Sequence, residues 1–202
     1  MTQALKFLLA AAVLLTPALA FSQDAALAAL LARGPVVLVE ENAEGKFSEA
    51  TAVIKIAAPV DEVWSVLLAM ESFHEFVPMM IRSDITRRSD ANTFDVRFVY
   101  DVPGPDTDYT ARMRVDGKRR EIHGTWLKDD LKGSTWSWRL ERSGDDHCLL
   151  FHKVSVRNFS PLLQRVDDDQ QTVTVGVNVS SALATVKAIK RRAEQRLVTR
   201  AP

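Results

Sequence analysis

The sequence predicts an α+β domain in which an antiparallel sheet carries a long C-terminal helix on its apolar face, with two short helices after the first core strand. Three observations carry that expectation. From Ile81 to Asn158 the apolar residues recur with a period of two, broken by turn signals at Pro103-Gly104-Pro105, Asp116-Gly117 and Gly144-Asp145, which reads as a meander of antiparallel strands. Immediately before it, the spacing is helical. After Phe159-Ser160-Pro161 and the run Asp167-Asp168-Asp169, the residues Val179, Leu183, Val186, Ile189, Ala193 and Leu197 recur every three or four positions, as the apolar stripe of a helix of roughly 20 residues does.

Composition sets the outer bounds. The chain has 202 residues, 47% of them hydrophobic and 26% charged, which is enough to bury a core and leaves disorder out. Lysine plus arginine and aspartate plus glutamate number 26 each, so the formal charge balances and the basic footprint of a general nucleic-acid binder is missing. The single cysteine, Cys148, has no partner for an internal disulfide and cannot build a thiolate-rich zinc site by itself.

In chain order, Lys6 and the amino terminus precede an unbroken apolar run from Phe7 to Leu15, followed by Ala18-Leu19-Ala20. This is the layout of a secretory signal peptide over residues 1–20. The apolar run is too short for a membrane-spanning helix, which needs about 20 such residues. Export to the periplasm or the exterior is therefore expected, with cleavage after Ala20 or Ser22. A leader over residues 21–45 follows. In it, Leu27, Leu30 and Leu31 suggest a short helix stopped at Gly34-Pro35, and Val36 to Glu40 reads as an extra strand paired with Lys46 to Ala57.

Pro59, Asp61 and Glu62 then open a helix whose apolar side is Val60, Val63, Trp64, Leu67 and Leu68. Ser72 and Glu75 have the spacing of a capping box for a second short helix, closed by Pro78. The strands of the meander are expected at residues 81–88, 92–102, 107–116, 119–127, 134–142 and 147–158. Alternation puts Phe94, Val96, Phe98, Tyr100, Tyr109, Ala111, Met113, Val115, Ile122, Gly124, Trp126, Trp136, Trp138, Leu140, Cys148, Leu150, His152, Val154 and Val156 on one face. It puts Asp95, Arg97, Asp101, Arg112, Arg114, Asp116, Arg139 and Glu141 on the other. One face is covered and one is wet.

The run Ile54-Lys55-Ile56-Ala57-Ala58-Pro59-Val60-Asp61-Glu62-Val63-Trp64, followed by Phe73-His74-Glu75-Phe76-Val77-Pro78, resembles the entry of polyketide cyclase and coenzyme Q-binding members of the START-like, or SRPBCC, superfamily. The resemblance covers residues 46–198 and implies the helix-grip fold, a curved antiparallel sheet wrapped around the long C-terminal helix. It excludes the leader, and the glycine-rich loop of the pollen-allergen members is absent. The superfamily hosts binders, transporters and enzymes, so fold alone does not decide function. Such a fold leaves a cavity between sheet and helix. An empty apolar cavity of ~400 Å³ would cost on the order of 10 kcal/mol, which makes sense if an apolar ligand fills it.

That face supplies the candidate ligand-binding residues Phe94, Phe98, Tyr100, Tyr109, Met113, Trp126, Trp136, Trp138, Leu150 and His152, joined by Leu183 and Val186 from the helix. Each competes with a plain core role. Three buried indoles also require hydrogen-bond partners. His152 with Tyr109 is the alternative, a cyclase- or aromatase-like acid–base pair, but no carboxylate shares the face to orient the imidazole. His147 and His152 point to opposite faces and cannot chelate one ion, and His74 and His123 have no partner at ligand spacing, so no metal site is expected. Asp167-Asp168-Asp169 lacks the glycine and alternating ligands of a calcium loop, and no cofactor fingerprint occurs. Lys118-Arg119-Arg120 and the basic residues of the last helix offer either a solvated face or a transient contact with anionic headgroups. The expected function is that of an exported, non-enzymatic carrier of a hydrophobic small molecule such as a lipid, quinone or polyketide.

Overall fold

The computed structural model describes residues 25–101, 107–128, 132–155 and 171–200. The expected export segment, the Pro103-Gly104-Pro105 turn, Val156 and Asp167-Asp168-Asp169 lie outside them. The chain divides into two units, Met1–Gly34 and Pro35–Pro202. Of the first, the described part is a helix, α1, over residues 25–31, which ends in a turn at Gly34 with φ of +149°, a backbone conformation that favours glycine.

The second unit is built on an eight-stranded antiparallel sheet in the order β1-β2-β8-β7-β6-β5-β4-β3. Its strands are β1 (Val36–Glu41), β2 (Phe47–Ile56), β3 (Met80–Arg88), β4 (Thr93–Tyr100), β5 (Thr107–Asp116), β6 (Glu121–Trp126), β7 (Thr135–Arg142) and β8 (Cys148–Ser155). The six strands of the predicted meander follow one another across the sheet. The β1–β2 hairpin joins through β2 and β8, with Ala52 opposite His152 and Ile54 opposite Leu150. Between β2 and β3 lie helix α2 (Val60–Leu68) and a 3₁₀ segment (Met70–Glu75). The chain ends in α3 (Gln171–Arg200), 30 residues long. This is the helix-grip arrangement.

Several local readings change. Ser72 does not cap the second helix: its hydroxyl donates back to the Ala69 carbonyl at 2.9 Å, inside a 3₁₀ turn. In α2, Leu68 is exposed and Val66 is buried, because the chain leaves the helix at Ala69 and turns the last apolar residue outward. Asp95 lies on the outer face but is buried, where it receives a bidentate Arg112 fork at 2.8 and 3.1 Å. The rest of that face carries similar cross-strand charge pairs, including Arg97 with Asp108 at 2.6 Å and Lys153 with Glu49, and Arg139 lies over the Phe151 ring at 4.1 Å.

The covered face holds the core. Residues opposite one another on successive strands form continuous rows, such as Phe94, Met113, Gly124, Trp136 and Val154, so one period-two pattern is read out across five strands. The C-terminal half of α3 is fixed over one end of the sheet. The Ala57 N–H donates to Glu194 Oε1 at 2.8 Å, Lys190 Nζ donates to the Lys55 carbonyl at 3.0 Å, and Arg192 pairs with Glu75 at 2.5 Å. Below these ties Val186, Ile189 and Ala193 are buried against the sheet. The N-terminal half has a different inward side, where Thr174, Asn178 and Ala182 are buried.

Candidate functional site

A cavity of about 100 Å³ lies between that half of α3, the 3₁₀ segment and the far side of the meander. Its lining comes from every layer. Phe98 and Tyr100 stand on β4, Trp126 on β6, Trp136 and Trp138 on β7, and His152 and Val154 on β8. Phe73 of the 3₁₀ segment, Val77 of the turn after it and Met80 at the start of β3 close it from one side, and Ser181 and Thr185 face it from α3. Ser181 is exposed, so the cavity reaches the surface beside the helix. At ~24 cal/mol per Å³, a void of this size costs only about 2 kcal/mol when empty.

The aromatic cluster follows from register. Trp138 sits directly opposite His152, and Trp136 opposite Val154. The two indoles are 4.4 Å apart between centroids, and Trp138 lies 5.7 Å from the imidazole and 5.4 Å from Phe73. On the other side of Trp136 is Gly124, where an added Cβ would overlap the indole carbons and nitrogen. Any side chain at position 124 would force the Trp136 ring off β6, so the glycine is part of the site's construction.

Six of the predicted ligand-binding residues line the cavity: Phe98, Tyr100, Trp126, Trp136, Trp138 and His152. Phe94, Met113, Leu150 and Val186 are buried in the continuous core instead. Leu183 is half-buried on α3. Tyr109 is also absent from the cavity lining; its ring packs 5.1 Å from Trp126 and 6.5 Å from Tyr100. The pattern of the strands could not reveal Ser181 and Thr185, because they lie off the apolar stripe by which the last helix is recognised. Their spacing of four puts them on one side of α3.

The polar atoms of the site are few and uncharged. His152 Nδ1 lies 3.2 Å from the Ser137 carbonyl. A carbonyl only accepts, so Nδ1 carries the proton and Nε2 is left as an acceptor. Burial pushes the His152 pKa down to about 4, against a smaller opposing effect of that hydrogen bond. Burial raises the Tyr100 hydroxyl well above its ordinary value. Trp138 is 4% exposed, and its Nε1 is buried without a hydrogen-bond partner. Cys148, deep in the core, has its thiol pushed up to about 11 by burial, which keeps it protonated and unreactive.

Among the described residues no group of three or more His, Cys, Asp or Glu side chains could hold a metal ion, and no helix is long and apolar enough to cross a membrane. The basic residues considered for headgroup contact are largely paired within the fold. Arg120 bonds Asp61 and lies over Trp64, Arg119 pairs with Asp116, Lys190 with Glu194, and Arg196 with Glu62 and Ser65.

A sheet curled around one long helix, with an aromatic cavity held between them, defines a helix-grip protein of the START-like class. Within that class the chain belongs to the polyketide cyclase / dehydrase and lipid transport family, whose pattern it matches over residues 56–199. No curated protein matches it. Among solved structures it is similar to a Zhui aromatase/cyclase from a Streptomyces species, with 21% identity over 74% of this chain and 94% of that one and a TM-score of 0.62. It is also similar to a STAR-related lipid transfer protein from Xanthomonas axonopodis, with 16% identity over 80% and 94% of the two chains and a TM-score of 0.58. A norcoclaurine synthase from Thalictrum flavum shares 15% identity over 81% and 98%, at a TM-score of 0.53. At these identities the likeness is one of fold.

Proposed function

We propose that this protein is an exported, non-enzymatic carrier that holds the ring or chain end of a hydrophobic small molecule in the cavity between sheet and α3. The observation that carries the reading is the chemistry of the lining: twelve side chains, none of them Asp, Glu, Lys or Arg. Its one titratable group near neutrality, His152, is held uncharged down to a pKa of about 4. General acid–base catalysis works best with a group poised near the working pH, and His152, though oriented by the Ser137 carbonyl, is pushed well below it by burial. Apolar area, at ~25 cal/mol per Å², is what this lining offers a ligand.

Size sharpens the proposal. An apolar cavity of ~150 Å³ admits a benzene ring, so one of about 100 Å³ takes part of a larger molecule, whose remainder leaves past Ser181. Export is supported by the arrangement of Lys6, the Phe7 to Leu15 run and Ala18-Leu19-Ala20.

The aromatase/cyclase neighbour frames the competing reading, a cyclase- or aromatase-like enzyme that uses His152 and a tyrosine. One experiment separates them. Protein purified gently from its native compartment is extracted with organic solvent, and the compound recovered is identified by mass spectrometry and incubated with fresh protein. A carrier returns it unchanged. A cyclised or dehydrated product made by the wild type and not by His152→Gln would overturn the carrier reading.

A further inference from the structure

One glycine of the sheet has a role that its backbone does not explain. Gly124 lies inside β6 without a positive φ, so any residue could adopt its conformation, and a glycine there weakens the strand. What the position cannot accept is a Cβ, which would overlap Cε2, Cζ2 and Nε1 of the Trp136 indole. Among the described glycines it is alone in this, since the space beside each of the others is open. The row on the covered face runs Phe94, Met113, Gly124, Trp136, Val154. The place that a side chain of β6 would fill is taken by the ring from β7.

That arrangement decides where the cavity ends. Trp136 is one of its walls, with Val154 opposite on β8, Trp126 two residues beyond Gly124 on β6, and Trp138 at 4.4 Å on its own strand. All three neighbours also line the cavity, so an indole displaced from β6 moves into that space. With the indole laid against Gly124, about 100 Å³ stays open. A benzene ring is held by an apolar cavity of ~150 Å³, whereas a methylene chain is narrower and enters end-on. We infer that the Gly124–Trp136 pair sets the depth of the cavity and makes it selective for the end of an unbranched alkyl chain over a ring. The glycine keeps the indole out of the cavity, and the indole occupies the room a ring would need. The ligand class is a molecule with a linear hydrocarbon end, whose remaining chain and polar head leave past Ser181. The inference rests on the cavity being a ligand site, as proposed above, and adds which end of a molecule that site admits.

Isothermal titration with two alcohols of ten carbons, 1-decanol and 4-cyclohexyl-1-butanol, tests it. Both carry one hydroxyl and they differ in ending as a chain or as a ring. Their unequal hydration cancels when the ratio of their affinities is compared between proteins. Trp136→Leu removes the indole and keeps an apolar wall. It should move the ratio toward the cyclohexyl alcohol by about 10-fold or more, the scale on which an apolar pocket discriminates by size. Gly124→Ala should weaken 1-decanol by about 10-fold or more, as the displaced indole fills the cavity. In the wild type, the terminal methyl of bound 1-decanol should show nuclear Overhauser contacts with the Trp136 ring protons, a readout that needs no variant. An unchanged ratio in folded Trp136→Leu, undiminished 1-decanol binding by folded Gly124→Ala, or a bound 1-decanol whose terminal methyl meets no Trp136 proton would each overturn the assignment. Saturable binding of 1-decanol in the same experiments leaves the carrier reading standing. If neither alcohol binds the wild type, both fall.

Discussion

His152 shows how burial converts a common residue into a neutral fixture. Its imidazole lies among Trp136 and Trp138, and the folded pKa of about 4 is below the ordinary 6.5 of an exposed histidine. Between those two values the unfolded chain binds the proton more readily than the folded one. The linkage sign is then fixed: stability falls as pH drops from about 6.5 towards 4, and this one group accounts for up to about 3 kcal/mol of the loss. Urea denaturation at a series of pH values, on the wild type and His152→Gln, should show the difference between them changing across that window and level above it. A constant difference would mean that the histidine titrates normally. Trp136 illustrates the opposite dependence, on a residue that contributes no side chain at all, since its ring occupies the space that Gly124 leaves open.

At the level of elements, α3 has two halves with two tasks. Its C-terminal half is tied to the β2–α2 junction through Lys190 and Glu194, and Glu194 Oε1 meets both the Ala57 N–H and the Lys190 ammonium, at 2.8 and 2.5 Å. Glu194→Ala should cost about 1 kcal/mol in chemical denaturation, the usual net worth of a hydrogen bond at a half-exposed site. No loss would show that packing of Val186, Ile189 and Ala193 alone seats the helix. The sequence made that half legible, because its inward residues are apolar and spaced at three and four. It concealed the N-terminal half, whose inward Thr174, Asn178, Ser181 and Thr185 look like a solvated surface until the sheet is set against them. The strands were easier. Strict alternation from Phe94 to Val154 fixed which side of each residue was covered, and even the buried Asp95 kept to its predicted face. What alternation lacks is position along the strand. Phe94, Met113 and Leu150 share a face with Phe98 and Trp138 yet fill core, because the 3₁₀ segment and α3 cover one region of the sheet tightly and leave a gap over the other.

For the whole molecule, a grip of eight strands around one helix separates stability from recognition. The buried apolar core and the α3 ties hold the fold, and the cavity is small enough to stand empty at a cost of about 2 kcal/mol, well within an ordinary domain's margin. A carrier needs that property, since it must survive both loaded and unloaded. The most direct test of the account is chemical-shift mapping of the isotopically labelled protein titrated with the hydrophobic compound recovered from the native protein. Saturable shifts concentrated on Phe98, Tyr100, Trp126, Trp136, Trp138, His152, Ser181 and Thr185 are the predicted result. Shifts confined to the outer face around Arg97, Arg112 and Arg139, or none that saturate, would contradict it.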